Sequence, residues 1–120
     1  MAMRGFRGAT LLSADDSVEM SEAVVELLTA IIERNGLVQD DLVSILFTAT
    51  PDLHCAFPAA AARGLGLVDV PLICAQELDI DNAVPRAIRV LVHAESDLPR
   101  SEVQHVYLRG AEVLRQDLTT

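Results

Sequence analysis

The stretch "DSVEMSEAVVELLTAIIERNG" (residues 16–36) constrains the fold more than any other part of the chain. Met20, Ala23, Val24, Leu27, Leu28, Ile31 and Ile32 recur at steps of three and four, which lays one continuous apolar stripe along a helix. Asp16 can cap the helix start, Glu19 three positions later completes a box-like pattern, and Gly36 after Asn35 supplies a stop. A helix with a single apolar stripe must bury it against another layer, and the rest of the chain reads as strands.

Residues 3–12 read as a first strand, and "LVSILFTA" (42–49) as a second whose near-continuous apolar run fits cover on both faces. Pro51 and Pro58 place "TPDLHCAFP" in a loop, and Pro58 can open a short helix through "PAAAARGLG". Further strands are expected at 70–77, at an edge or beginning after Pro71, at 86–94 and at 104–111. "SDLPRSEV" carries at most a helical turn. The fold class is α/β (α+β): a mixed sheet with one long helix packed on a face. Residues 1–120 are expected to form one domain, with a tail from about 111 that orders when ligand enters. Apolar residues make up 51% of the chain, a large load for a lone domain of this size. The sheet face away from the helix therefore needs a cover, most economically another copy of the chain.

The formal charge is -9, and all nine basic residues are arginine. An acidic chain without a basic cluster argues against nucleic acid. No apolar run approaches a membrane span, no basic amphipathic segment suggests a membrane surface, and the N-terminus has no signal-peptide core. Cys55 and Cys74 make neither a disulfide framework nor a C-x-x-C site, so a reduced, cytoplasmic protein is expected.

The arginines are placed oddly. Alternation along the first strand puts Arg7 on a face with Gly5 and Ala9. In "RAIRVLVHA", Arg89 projects opposite Ile88, Val90 and Val92. Glu77 ends the strand before it, near Cys74, and Tyr107 shares a face with His105 and Arg109. Arg63 follows the alanine run, and Arg115 lies in the tail. Taken singly, each reads as solvated or ion-paired. Converging with a tyrosine, they would bind a small polyanion, most naturally a dicarboxylate. Catalytic alternatives are thin: no G-x-S-x-G serine, no metal-ligand spacing among His54, His93 and His105, no base beside Cys74 and no phosphate-cradling loop. An enzyme of this composition would work by binding and electrostatics.

"RGFRGAT", "TATPDLHCAFPA", "VPLICAQELDI", "IRV" and "HVYLRGAEVLRQDL", in this order from Met3 to Leu118, resemble the monofunctional AroH-type (Bacillus-type) chorismate mutases. The resemblance implies a homotrimer whose sheets form a pseudo α/β-barrel, with active sites between subunits. It implies the rearrangement of chorismate to prephenate in aromatic amino-acid biosynthesis, with no cofactor and no metal. On this reading Arg89 meets the ether oxygen and a carboxylate, while Arg7 and Tyr107 hold a carboxylate. Glu77 and the Cys74 backbone take the ring hydroxyl. Phe57, Ala59, Leu72 and Ile73 form the apolar wall, and Arg63, Leu114 and Arg115 close the entrance. Ala60 and Ile73 depart from the lysine and threonine common at these positions. A RidA-like imine hydrolase and a non-catalytic binder of an aromatic-pathway acid are the alternatives. The former should release ammonia from enamines, and the latter should bind without turnover.

Overall fold

The computed structural model describes residues 2–118, so the outermost positions of the expected 1–120 domain lie outside the described residues. Five strands and two α-helices follow one another along the chain: β1 (Ala2–Leu11), α1 (Ser17–Arg34), β2 (Leu42–Ala49), α2 (Pro58–Gly64), β3 (Leu72–Gln76), β4 (Ala87–Ser96) and β5 (Val106–Leu108). Short 3-10 segments occupy Gln39–Asp41, Arg100–Glu102 and Ala111–Leu118. The sheet order is β3-β2-β4-β1-β5, with β4 antiparallel to both neighbours and the outer pairs β2/β3 and β1/β5 parallel. This is the mixed sheet expected from the sequence.

Helix α1 begins as the sequence indicates: Asp16 Oδ2 accepts the Glu19 N–H at 2.8 Å. The Glu19 carboxylate does not close a box on Asp16. It reaches past the cap to the Ser13 N–H at 2.7 Å and the Ser13 hydroxyl at 2.9 Å, clamping the β1–α1 connection. Gly36, at φ 63°, ends the helix in a left-handed conformation that a side chain would resist.

The stripe of α1 packs on the sheet face carrying Phe6, Ile45, Phe47, Ile88, Val90 and Val92, all buried. The approach is tight at Gly8, where an added Cβ would stand 2.7 Å from Ile31 Cδ1. The opposite face is left open. Leu46, Thr48 and Leu91 are only half-buried, so β2 is not covered on both sides by its own chain. Phe57, Ile73, Leu78 and Ile80 are exposed. No helix among the described residues is long and apolar enough to cross a membrane.

Strand β5 is shorter than the 104–111 expected from its composition. At its start Gln104 is drawn to the end of α1, its N–H bonded to Asn35 Oδ1 at 2.8 Å and its carbonyl to Asn35 Nδ2 at 2.9 Å. At its end Arg109 (φ 53°) and Gly110 (φ 87°) turn the chain. That turn carries Arg109 to the helix side, with Nε 3.2 Å from Glu26 Oε1. Arg109 therefore does not share a face with Tyr107, because strand alternation has already ceased there.

Candidate active site

Register, which no single segment reveals, brings the strand arginines together. Arg89 on β4 lies directly across from Ala9 on β1 and from Thr48 on β2. Ala9 in turn faces Tyr107 on β5. Arg7 lies two residues before Ala9 on the same face, diagonal to both Arg89 and Tyr107. The small Ala9 leaves a trough between them, and the open face of the sheet forms its floor. Glu77, just past β3, is held in place by its N–H on the Ala49 carbonyl at 2.9 Å.

These residues line one cleft of about 680 Å³, walled by Leu46 and Leu91, by the loop at Asn82–Val84, and by Val113 and Leu114 from the C-terminal 3-10 segment. The polar geometry is specific. Thr48 Oγ1 donates to Glu77 Oε2 at 2.6 Å, and Arg89 Nε stands 3.6 Å from the same oxygen. At that separation the ion pair orients the guanidinium without consuming its donors, and 47% of the Arg89 side chain remains exposed. Among the described residues Arg7 makes no ion pair. Arg115 stacks over Tyr107, its Cζ 4.9 Å from the ring centroid. The Arg115 Nε is buried without a hydrogen-bond partner among the described residues. Two arginines with unspent donors, a tyrosine beside them and a carboxylate opposite make a site for an anion that also carries a hydroxyl or other donor.

The remaining expected site residues lie elsewhere on the chain. Leu72 and Cys74 pack toward the core, Cys74 in register with Phe47. In β3 the Pro71 carbonyl and the Glu77 N–H both bond to β2, at 3.0 and 2.9 Å. Strict alternation then turns the backbone N–H and C=O of Cys74 outward, along the open edge. Phe57 and Cys74 border a second cleft, and Ile73 and Arg63 are exposed. Ala59, expected in the apolar wall, has its side chain in the core with Ala62, on the inner face of α2. Within one chain, then, Arg7, Glu77, Arg89, Tyr107 and Leu114 share a cleft that Phe57, Ala59, Arg63, Leu72, Ile73 and Cys74 do not line.

Thr48 and the Asn82–Val84 loop were not anticipated from sequence. Alternation in "LVSILFTA" does put Thr48 opposite Ile45 and Phe47, but its pairing with Arg89 is a long-range fact. The sequence shows for His105 only a shared face with Tyr107, whereas in the fold its Nδ1 accepts the Arg7 backbone N–H at 2.9 Å.

The family model described as chorismate mutase type I matches residues 3–118. The chain is 42% identical over 120 residues to the chorismate mutase AroH of Bacillus subtilis (strain 168), covering 99% of this chain and 94% of that protein. It is 44% identical over 117 residues to the chorismate mutase AroH of Thermus thermophilus, covering 97% and 96%. The chorismate mutase from Clostridium thermocellum superposes with a TM-score of 0.90 at 41% identity, over 92% of this chain and 98% of that one.

Proposed function

The chain belongs to the chorismate mutase type I family, and we propose that it rearranges chorismate to prephenate in the cleft lined by Arg7, Glu77, Arg89 and Tyr107. The reaction is an intramolecular pericyclic shift: the ether C–O bond breaks while a C–C bond forms. No atom leaves the molecule, so the protein's tasks are to hold a compact conformer and to stabilise the charge that grows on the ether oxygen.

The observation that carries this reading is the convergence of Arg89, Arg7 and Tyr107 on one sheet face with the arginine donors unspent. Arg89 rises from the centre of the sheet, where a rigid strand fixes its root. Its planar fork can serve the ether oxygen and a carboxylate together. Arg7 and Tyr107, flanking Ala9, would hold a carboxylate. Glu77 keeps Oε1 for the ring hydroxyl while Thr48 occupies Oε2. Orientation removes much of the entropic barrier, and a preorganised cation at the developing oxyanion lowers the rest.

The residues outside this cleft fit as the contribution of a neighbouring copy in a homotrimer. Phe57, Ile73, Arg63 and the outward-facing backbone of Cys74 lie exposed on the edge side of the chain. The open sheet face carries half-covered Leu46 and Leu91. Packing copies edge to face would bury both surfaces and complete the site, with Arg115 closing over it from the tail. A small acid made and consumed in biosynthesis fits action in the cytoplasm.

Mixing two variants tests this arrangement. R89A and R63A homo-oligomers should each convert chorismate poorly at low substrate. Co-refolded, they should recover about a quarter of wild-type activity if the two arginines come from different subunits. No recovery in demonstrably mixed oligomers would place both in one chain's site.

A further inference from the structure

We propose that His105 is a positioning residue for Arg7: its ring nitrogen supplies the backbone acceptor that the sheet lacks at that point, and protonation of the ring releases the anchor. The proposal deepens the reading of Arg7 as a carboxylate-binding residue and rests on it.

The argument starts from the β1/β5 ladder. Gly8 pairs with Val106, Ala9 with Tyr107 and Thr10 with Leu108, all parallel. Continued one step back, the register would pair Arg7 with His105 and hand the Arg7 N–H to the Gln104 carbonyl. That carbonyl is occupied by Asn35 Nδ2 at 2.9 Å, and the Gln104 N–H by Asn35 Oδ1 at 2.8 Å. The chain at Gln104 is thus held on the end of α1 and away from Arg7. The His105 side chain fills the gap, with Nδ1 2.9 Å from the Arg7 nitrogen.

A ring that accepts through Nδ1 carries its proton on Nε2 and must be neutral. A second proton would put a donor against a donor, and the backbone beneath the Arg7 side chain would lose its tie on the β5 side. The charged groups facing the ring agree with the neutral form. Arg7 comes from β1 and Arg115 from the 3-10 segment. Burial first, and then these two cations, push the imidazole below its ordinary value of 6.5. The ring is therefore neutral at pH 7 and charges only under acid. An extra cation could also attract a dianionic substrate, so the sign of the effect on capture separates the two consequences.

The test uses the intact assembly and two readouts. H105N keeps an acceptor near the position of Nδ1 but cannot titrate, whereas H105L removes the acceptor. In the wild type, the Arg7 amide resonance should follow the His105 ring with one midpoint below 6.5, and in H105N it should not titrate. The KM for chorismate should rise between pH 7.5 and pH 5 by roughly 2- to 10-fold more in the wild type than in H105N, the span one net hydrogen bond corresponds to. H105L should show the raised KM at both pH values, with kcat changed less. An Arg7 amide indifferent to His105, coincident profiles for wild type and H105N, or a KM that falls on acidification would each overturn the proposal. If chorismate is not converted at any pH while the Arg7 amide still follows His105, the anchor stands and the substrate assignment fails.

Discussion

Thr48 Oγ1 lies 2.6 Å from Glu77 Oε2 and donates to it, across the parallel β2/β3 pair at the floor of the cleft. The bond settles which carboxylate oxygen is committed and which is free. A hydroxyl donor to a carboxylate is among the stronger single contacts a side chain makes, and the Glu77 backbone is already pinned to Ala49. Replacing Thr48 with valine keeps the shape and β-propensity but removes the donor. T48V is expected to lower kcat/KM for chorismate by roughly 5- to 50-fold with little loss of Tm, and T48S to restore most of it. Equal kinetics for T48V and wild type would show that Glu77 is positioned without this bond.

Gly8 sits where the sheet meets the helix and also lines the cleft. A methyl there meets Ile31 Cδ1 at 2.7 Å, Leu27 Cδ1 at 3.1 Å and Val90 Cγ2 at 3.1 Å. Two of these are tips of side chains that are themselves fully packed, so relief requires α1 to move outward. G8A is expected to cost about 1–3 kcal/mol, read as a Tm lower by several degrees. Weaker capture should accompany it, because the flanking Arg7 and Ala9 shift with the strand.

Glu19 links pH to stability. The Ser13 N–H and hydroxyl, opposed in part by burial and aided by the Ala14 N–H and Arg109, hold its carboxyl below the ordinary value of 4.5. Between the folded and unfolded values the unfolded chain binds more protons, so stability rises with pH there. The contribution is complete above about 4.5 and is lost as pH falls through the folded value. Thermal melts should show E19Q less stable than wild type at pH 6, with the gap narrowing toward pH 3. A constant gap would mean that the clamp does not depend on ionisation.

Much of the architecture was readable because it is local. The stripe from Met20 to Ile32, the Asp16 cap, the proline opening α2 and the edge position of β3 each follow from a few neighbouring residues. The mixed sheet follows from their order. Register is not local, and the meeting of Arg89 with Ala9 and Thr48 depends on it. Alternation could place Arg7 and Arg89 on strand faces, but only the β1/β4 pairing puts them on the same face. The sequence suggests a longer β5 because the segment's composition carries no trace of Asn35 capturing Gln104 from far along the chain. Arg109 leaves the Tyr107 face for a different reason: once Leu108 ends the strand, a period of two no longer applies. The division of the expected site residues follows in part from Ala59, Leu72 and Cys74 packing toward the core, while Arg7, Arg89 and Tyr107 stand on the open sheet face.

The most direct measurement is to follow chorismate absorbance with purified protein, identify the product, and repeat it with Arg89 replaced. The side chain is half-exposed at the centre of the open face, so its removal should leave the fold intact. Wild-type protein should convert chorismate to prephenate without added cofactor. R89A and R89K should each lower kcat/KM by at least about 10²–10³-fold with unchanged Tm and mass, the loss expected for a donor aimed at a developing oxyanion. Conversion by R89A at the wild-type rate would contradict the assignment of Arg89 and its cleft, and no conversion by the folded wild-type protein would contradict the activity itself.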